Sequence, residues 1–381
     1  PRPPPKATGR PTISRNAGQS LTRGRVALGG ALDARVANPS LGRLEERMLK
    51  WLVGAVLGLI GLVALLAGGA YFALNRPDVP YETLETSYGG PASRFADLPG
   101  GIRMHYRDQG DPNAPVLVLV HGFSASLHTW EPWVARLSDQ YRVISVDLPG
   151  HGLTRAPAGY EASIEAFRDA LHAFTVQHGL SRFAIAGNSM GGNVAWEYAL
   201  AHPEQVEALI LVDSSGWPET REGLAEDPPV FKLLRNPVLG PIMRDLDSTA
   251  LTRQGLQAAF FDPALATDEM VRRYVDLSRA PGHRAILLQM TLGFRSRNYA
   301  TPERLVPLSA VPTLIFTGDA DRLVAPEHAQ QFHDAIQGSQ LVVFENTGHV
   351  PQEERADESA IAVHEFLYAL IEGPALATAA Q

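Results

Sequence analysis

The sequence predicts an α/β fold in which a mostly parallel central sheet is flanked by helices. Short apolar runs rich in β-branched residues are typical of strands buried on both faces of such a sheet. They recur at residues 116–120, 142–146, 183–186, 208–212, 313–317 and 340–344. Helical patterns separate them, at residues 130–137, 163–177, 193–201, 326–336 and 359–370. In addition, the strand at 183–186 runs through a glycine-rich turn directly into a helix.

By composition the chain divides into an N-terminal part, a core and an insertion. Residues 93–217 and 301–373 carry the strand and helix patterns of the core. Residues 218–300 lie between two core strands and show only helical patterns, so they predict an inserted helical cap. The other segments are predicted as a disordered basic tail (1–48), a transmembrane helix (49–75), a linker (76–92) and a disordered C-terminal tail (374–381).

Charge and cysteine content exclude several classes of function. Residues 1–50 hold ten Lys or Arg and three Asp or Glu, whereas the rest of the chain has an excess of 15 acidic residues. An acidic body argues against nucleic acid as a partner. The chain has no cysteine, which excludes disulfides, thiolate metal sites and cysteine catalysis.

An uncharged apolar segment runs from Trp51 to Leu74. It is long enough to span a membrane, since about 20 helical residues cross the hydrocarbon core. Basic residues precede it and an acidic body follows it, which predicts a single-pass anchor with a cytoplasmic N-terminus and an extracytoplasmic body, periplasmic or extracellular. One alternative is a signal peptide cleaved near residues 67–70, which yields a secreted protein. Met48 is the first methionine, and translation from it is a further alternative.

Residues 187–191 read Gly-Asn-Ser-Met-Gly and match the pattern G-x-S-x-G. They lie between a short strand and a helical pattern, which is the context of a nucleophile elbow. In such a turn the serine has a strained backbone and its neighbours must lack side chains, which accounts for Gly187 and Gly191. We interpret Ser189 as a nucleophile. The alternative is a glycine-rich turn with an incidental serine.

The strand at 116–120 ends in His121-Gly122-Phe123-Ser124. Acyl transfer through a serine requires two backbone N–H groups directed at the developing oxyanion. In the elbow geometry, one belongs to the residue after the nucleophile, here Met190, and one to the loop after this strand. Phe123 is the candidate for the second donor, and His121 is interpreted as a brace for the loop.

The elbow motif expects an acid later in the chain, at the end of another strand. Three aspartates follow strands: Asp213 after residues 208–212, and Asp319 and Asp321 after residues 313–317. We prefer Asp321, with the other two as alternatives.

The base is expected after the acid, again at a strand end. His349 follows the strand at 340–344, and Gly348 gives its loop the freedom to direct the ring inward. We interpret His349 as the group that takes the proton of Ser189, while the aspartate fixes the tautomer of the ring.

Substrate contacts are predicted from the loops near the serine and from the apolar residues of the cap. The candidates are Phe123, Ser124, Trp217, Phe231 and Val350. Ordinary packing is the alternative for each of them, and the composition of the cap does not specify a substrate.

The segments HGF, DLPGHG, GNSMGG, GDADRLVAP and TGH occur in this order between residues 103 and 370. In them the chain resembles the α/β-hydrolase fold superfamily with a helical cap. Ser189, Asp321 and His349 fall on the family's triad positions, and Asp321 is the third residue after Gly318, where the family usually places the acid. The GNSMGG elbow is similar to that of bacterial lipases and esterases, and also to that of meta-cleavage-product hydrolases, which split carbon–carbon bonds. The second group usually has a GPG-type oxyanion loop and an aromatic residue after the histidine. This chain differs at both places, with Gly122-Phe123-Ser124 in the loop and Val350 after the histidine.

The site residues and the resemblance predict a serine hydrolase that cleaves carboxylic esters through a covalent acyl-enzyme. The expected substrate is a small-molecule ester with an apolar acyl group, and no cofactor or metal is expected. A C–C bond hydrolase or a thioesterase with the same triad is an alternative. Outside enzymes, the alternative is a catalytically inactive scaffold of the same fold.

Overall fold

The computed structural model describes residues 39–218, 236, 239–293 and 299–379. The chain divides into two compact units, residues 1–68 and 69–381. The described part of the first unit is one helix, α1 (Pro39–Leu74), which ends six residues into the second unit. Residues 1–38, predicted as a disordered tail, lie outside the described residues.

Helix α1 contains a candidate transmembrane span, Gly42–Leu74, none of which is buried. Such a helix fits a membrane anchor or a signal sequence. It begins ten residues before the predicted span, so the prediction of a disordered tail is wrong for residues 39–48. The reason is that this stretch also favours a helix, with an i,i+4 pair in which Glu46 and Lys50 lie 4.0 Å apart.

In the described part of the second unit, eight strands form one sheet. They are β1 (Ser93–Leu98), β2 (Ile102–Gln109), β3 (Val116–Val120), β4 (Arg142–Val146), β5 (Phe183–Asn188), β6 (Val206–Val212), β7 (Thr313–Gly318) and β8 (Gln340–Phe344). Their order across the sheet is β1-β2-β4-β3-β5-β6-β7-β8. The pairs β1–β2 and β2–β4 are antiparallel and the other pairs are parallel. The mostly parallel sheet is therefore confirmed.

Helices cover both faces of this sheet. In chain order, the α-helices described after α1 are α2 (Tyr81–Tyr88), α3 (Glu131–Leu137), α4 (Ile164–Gln177), α5 (Met190–Ala201), α6 (Leu239–Arg244), α7 (Thr249–Ala259), α8 (Asp268–Ser278), α9 (His283–Gly293), α10 (Pro302–Leu305), α11 (Glu327–Ala335), α12 (Pro351–Glu354) and α13 (Ala356–Ala379). Ile185 of the central strand faces the cluster containing Phe167 and Trp196. Its neighbour Ala186 faces the opposite cluster, with Trp133. This alternation buries β5 on both sides.

Helices α6 to α9 follow β6 and precede β7, as predicted for an inserted helical cap. The helix predicted at 229–234, and with it Phe231, lies outside the described residues. On the underside of the cap, Leu256, Phe260, Val271 and Val275 form a buried cluster with Val350 of the core. The cap thus packs on the loop that follows β8.

The stretch directly after α1 is bound to the cap. The Arg76 N–H donates a hydrogen bond to the Asp245 carbonyl at 2.9 Å. Two ion pairs reinforce it, Arg76 with Asp247 at 2.9 Å and Arg284 with Asp78 at 2.7 Å. The cap therefore contacts both the core and the segment that follows the candidate transmembrane span.

The segment predicted as a linker, residues 76–92, contains helix α2, so this prediction is wrong for residues 81–88. Tyr81 and Leu84 are one helical turn apart and both are buried, in a cluster with Leu153 and Leu277. Because two side chains at i and i+3 share one face, the segment gains a packing surface that its polar composition conceals.

The C-terminal tail also differs from the prediction. Helix α13 continues to Ala379, so the prediction of disorder is wrong for residues 374–379, and residues 380–381 lie outside the described part. The last residues are rich in alanine, which has the highest helix propensity of the amino acids.

We expect Gly191→Ala to destabilise the protein by about 3 kcal/mol, because overpacking a fixed backbone contact carries a cost of this order. A Cβ atom at Gly191 would lie 2.1 Å from the carbonyl oxygen of Val120 in the neighbouring strand. Urea unfolding of the full chain in detergent micelles measures the change.

Gly255→Ala is the matched control. Gly255 lies inside helix α7, and a Cβ atom there meets nothing within 4 Å. Alanine should therefore raise stability by about 1 kcal/mol through helix propensity alone. Equal effects of the two substitutions would contradict the close approach of β3 to the elbow.

Candidate active site

The candidate nucleophile Ser189 lies between β5 and α5 in a strained conformation, with φ 56° and ψ −118°. A non-glycine residue in this region costs of order 1–3 kcal/mol, so the surroundings must hold it. The Ser189 N–H donates to the Val212 carbonyl at 2.9 Å. A Cβ atom at Gly187 would lie 2.1 Å from the Gly191 carbonyl oxygen, and one at Gly192 2.5 Å from Ser214 Oγ. The turn thus closes only with glycine at these positions.

The structure brings Asp321 and His349 together. His349 Nδ1 lies 2.7 Å from Asp321 Oδ2, and both side chains are buried. The second oxygen of Asp321 accepts hydrogen bonds from the N–H groups of Leu323 (2.7 Å) and Val324 (3.0 Å). Burial alone would raise the pKa of Asp321, but the hydrogen bond and charge of His349 and these two amides outweigh it and hold the pKa below its ordinary value. Asp321 is therefore an ionised acceptor that can fix the ring of His349.

The two alternative acids occupy different positions. Asp319 is exposed, and its carboxylate accepts a 3.3 Å hydrogen bond from the Thr347 N–H. Asp213 is buried, and one of its oxygens lies within 4.8 Å of both the Asp321 and the His349 ligand atoms. Such a group could hold a metal ion by spacing alone. Two of these three residues, Asp321 and His349, are however already hydrogen-bonded to each other.

Asp213 differs from Asp321 in its electrostatics. Its Oδ1 accepts hydrogen bonds from the Gly318 N–H at 3.0 Å and from the Thr317 hydroxyl at 3.1 Å. Burial, and then the charge of the neighbouring Asp321, raise the pKa of Asp213 well above its ordinary value. A raised pKa favours the protonated form of Asp213, which limits repulsion between the two carboxyl groups.

Asn188 joins the elbow to the loop of the candidate base, a link that the sequence reasoning did not find. Its side-chain amide donates to the carbonyl oxygens of His349 at 3.0 Å and Val212 at 3.2 Å. Since Asn188 directly precedes Ser189, these bonds hold residues 347–350, the histidine loop, beside the serine. The first variable position of a G-x-S-x-G pattern carries no sequence signal for such a role.

The loop after β3 also lies against the elbow. A Cβ atom at Gly122 would be 3.3 Å from the Cβ of Ser189, a tight contact that glycine avoids. The buried His121 accepts a hydrogen bond from the Leu148 N–H at 3.0 Å through Nε2, and its Nδ1 lies 2.7 Å from the Gly122 carbonyl. Burial lowers the pKa of His121, so the ring is neutral and donates through Nδ1. His121 contacts the loop as a brace.

The candidate oxyanion donors, the N–H groups of Phe123 and Met190, belong to the residues that follow Gly122 and Ser189. Met190 is the first residue of α5, and the first N–H groups of a helix have no partner within it. Phe123 is half-buried and stacks edge-on against His151, with ring centroids 6.2 Å apart. Ser124, which follows, has φ 59°, so the backbone turns sharply at this point.

The remaining substrate candidates are arranged differently. Trp217 packs against Phe332 of α11, with ring centroids 5.6 Å apart. Val350 is buried in the cluster beneath the cap, whereas Phe231 lies outside the described residues. Trp217 and Val350 therefore have packing contacts that do not require a substrate.

Residues 115–356 match the α/β hydrolase fold family, and the chain belongs to this family. Lipase 1 of Psychrobacter immobilis is 28% identical over 277 residues, which cover 69% of this chain and 80% of the lipase. Among solved structures, a membrane phospholipase A has a TM-score of 0.63 and 28% identity, covering 83% of this chain and 98% of that one. A meta-cleavage product hydrolase from Pseudomonas fluorescens has a TM-score of 0.61 and 26% identity, covering 72% and 97%. These similarities support a hydrolase.

We expect Asp321→Asn to lower kcat by about 10³-fold or more, because the amide favours the wrong histidine tautomer. Asp213→Asn should leave kcat within about threefold, since the amide oxygen can still accept the hydrogen bonds from Gly318 and Thr317. Steady-state turnover of a chromogenic ester by the two variants measures this. The opposite ranking would make Asp213 the acid of the site.

Proposed function

We propose that Ser189, His349 and Asp321 form a catalytic triad that hydrolyses carboxylic esters. The observation that carries the proposal is the 2.7 Å bond between His349 Nδ1 and the buried Asp321, in a loop hydrogen-bonded to the residue before Ser189. An oriented histidine beside a strained, glycine-flanked serine is the arrangement that activates a hydroxyl nucleophile.

In the proposed reaction, Ser189 Oγ attacks the ester carbonyl while His349 Nε2 takes its proton. His349 Nδ1–H donates to Asp321 throughout and so stabilises the imidazolium that forms. The N–H groups of Phe123 and Met190 hold the developing oxyanion. His349 then protonates the leaving alcohol, activates a water molecule against the acyl-enzyme and so regenerates Ser189.

Two features support an ester with an apolar acyl group as the substrate. Similar proteins include a lipase and a membrane phospholipase A. In addition, Phe260 of the cap packs in one buried apolar cluster with Val350, the residue directly after His349. Apolar surroundings of this kind suit acyl chains better than charged substrates.

A C–C bond hydrolase is the second candidate function. The similarity to a meta-cleavage product hydrolase favours it. Against it, the oxyanion loop has Phe123-Ser124 after Gly122, and the residue after His349 is the aliphatic Val350. A thioesterase would use the same triad, and an inactive scaffold would not need the buried acid–histidine pair.

We further propose that α1 is a retained membrane anchor with a cytoplasmic N-terminus, so that the hydrolase unit is extracytoplasmic. The excess of basic residues before the span supports this orientation. The length of the apolar run supports retention, because residues 51–74 exceed the usual 7–15 residues of the apolar region of a signal peptide.

Ser189→Ala should reduce hydrolysis of p-nitrophenyl esters by the full chain in detergent to background and abolish labelling by a fluorophosphonate probe. The matched control is Ser181→Ala, an exposed serine before the opposite end of β5, which should retain wild-type turnover. Wild-type activity of Ser189→Ala would exclude the triad. Absence of labelling in the wild type would favour the scaffold, and a panel of esters, thioesters and C–C substrates separates the enzyme classes.

Protease added to intact spheroplasts should digest the hydrolase unit while cytoplasmic marker proteins survive, because the unit is proposed to lie outside the membrane. Immunoblotting of the residual fragment measures this. Complete protection, with digestion only after lysis, would invert the topology. Recovery of the unit in the soluble fraction would show cleavage instead of anchoring.

A further inference from the structure

The backbone of the histidine loop is bonded directly to the cap. The His349 N–H donates to the carbonyl of Ala259, the last residue of cap helix α7, at 2.6 Å. Gly348 approaches the same segment so closely that a Cβ atom would lie 2.3 Å from the Ala259 carbonyl oxygen. The side chain of Arg322, next to Asp321, donates to the Phe260 carbonyl at 3.3 Å. The end of α7 therefore lies against the groups that carry the proposed base and acid.

Glu354 completes this contact from the side of the core. It is the last residue of α12, which begins two residues after His349. One of its carboxylate oxygens accepts a hydrogen bond from the Phe261 N–H of the cap at 2.6 Å. The other accepts from the Gly348 N–H of the histidine loop. A single half-buried carboxylate thus joins a backbone donor of the cap to a backbone donor beside the base.

Charge explains why a carboxylate suits this position. Two N–H groups converge on Glu354 from different segments, that of Gly348 in a part-buried contact and that of Phe261 in an exposed one. An ionised carboxylate accepts at both oxygens, and bonds to a charged acceptor are shorter and stronger than neutral ones. A neutral amide has one acceptor oxygen and would leave one of the two donors facing an NH₂ group.

We propose that Glu354 is a positioning residue that couples the cap to the catalytic histidine. The cap segment at residues 259–261 and the loop at 347–350 move together because Glu354 binds both, so the placement of the cap sets the placement of the His349 ring. Glu354 touches neither substrate nor the reacting atoms. The inference rests on the proposed role of His349 as the base.

The consequence for the reaction is a link between cap position and kcat. Proton transfer from Ser189 to His349 requires close alignment, and a misplacement of about 1 Å can cost up to about 100-fold in rate. A cap held slightly away from the core would therefore slow chemistry even with substrate bound. Substrate affinity, which depends on other surfaces of the cap, would change less.

The first experiment compares Glu354→Gln with Glu358→Gln in the full chain in detergent. Glu358 is an exposed carboxylate in the first turn of α13 and serves as the control. Glu354→Gln should lower kcat by about tenfold with KM within about twofold, because one donor loses its acceptor and the base is displaced. Turnover is counted per active site titrated with the fluorophosphonate probe, so that a loss of folded protein alone does not register. Glu358→Gln should match the wild type.

The second experiment removes the cap donor itself. Phe261→Pro lacks the N–H that Glu354 accepts, and Phe261→Ala, which removes the same ring and keeps the N–H, is its reference. Phe260 already has φ −96° and ψ 146°, a conformation suited to a residue before proline. We expect kcat of Phe261→Pro to fall about fivefold to tenfold below that of Phe261→Ala.

Coupling also predicts non-additivity. The Glu354→Gln/Phe261→Pro double variant should lose no more than the more damaging single variant, because both break the same link. The proposal would be overturned if the losses in kcat of the two single variants multiply in the double variant. An unchanged kcat per titrated site in Glu354→Gln would also overturn it. If Glu354→Gln does not fold, the proline and alanine pair decides. Failure of the proposed function is distinguishable, since it appears as wild-type activity of Ser189→Ala, whatever Glu354 does.

Discussion

The tight turn at Ser189 holds strand β5 against helix α5, and its backbone contacts limit what can surround it. Gly187 and Gly191 approach other backbone atoms so closely that any side chain would collide. The serine is therefore held with φ 56° at the carboxyl end of the central strand. Because neighbouring parallel strands end at the same edge, the loops after β3, β6, β7 and β8 all reach this point. The remaining groups of the site are fixed relative to this one turn.

The histidine loop is held by neighbours from three sides. Asn188 binds its carbonyl, Asp321 binds its ring, and the cap together with Glu354 binds its amides. The bonds from Asn188 and Asp321 are buried, and there an unmade hydrogen bond is costly. A loop with so many internal partners loses little entropy when a substrate arrives, which is the preorganisation that the proposed role of His349 as base requires.

The sequence predicted the sheet, the elbow and the pairing of Asp321 with His349 because each has a local signal. Buried strands appear as apolar runs, and the elbow needs glycines at fixed spacing. Asn188, Glu354 and the raised pKa of Asp213 depend on groups far away in the chain or on burial, and these leave no spacing in the sequence. The linker was mispredicted for a related reason, since Tyr81 and Leu84 acquire a buried face only when Leu153 and Leu277 are present. Local polarity conceals such packing.

The bonds between Arg76, Asp78 and the cap have a mechanical consequence. Near α6 and α9 the described part of the cap is fixed to the segment after α1, and at the end of α7 it is fixed to the histidine loop. A cap that is held at two separate places does not move about a single hinge. Moving the cap away from the core as a rigid body would break the ion pairs and the backbone hydrogen bonds at both places together. Space for a substrate then has to come from bending of the cap between these two contacts, or from rotation of the side chains beneath it.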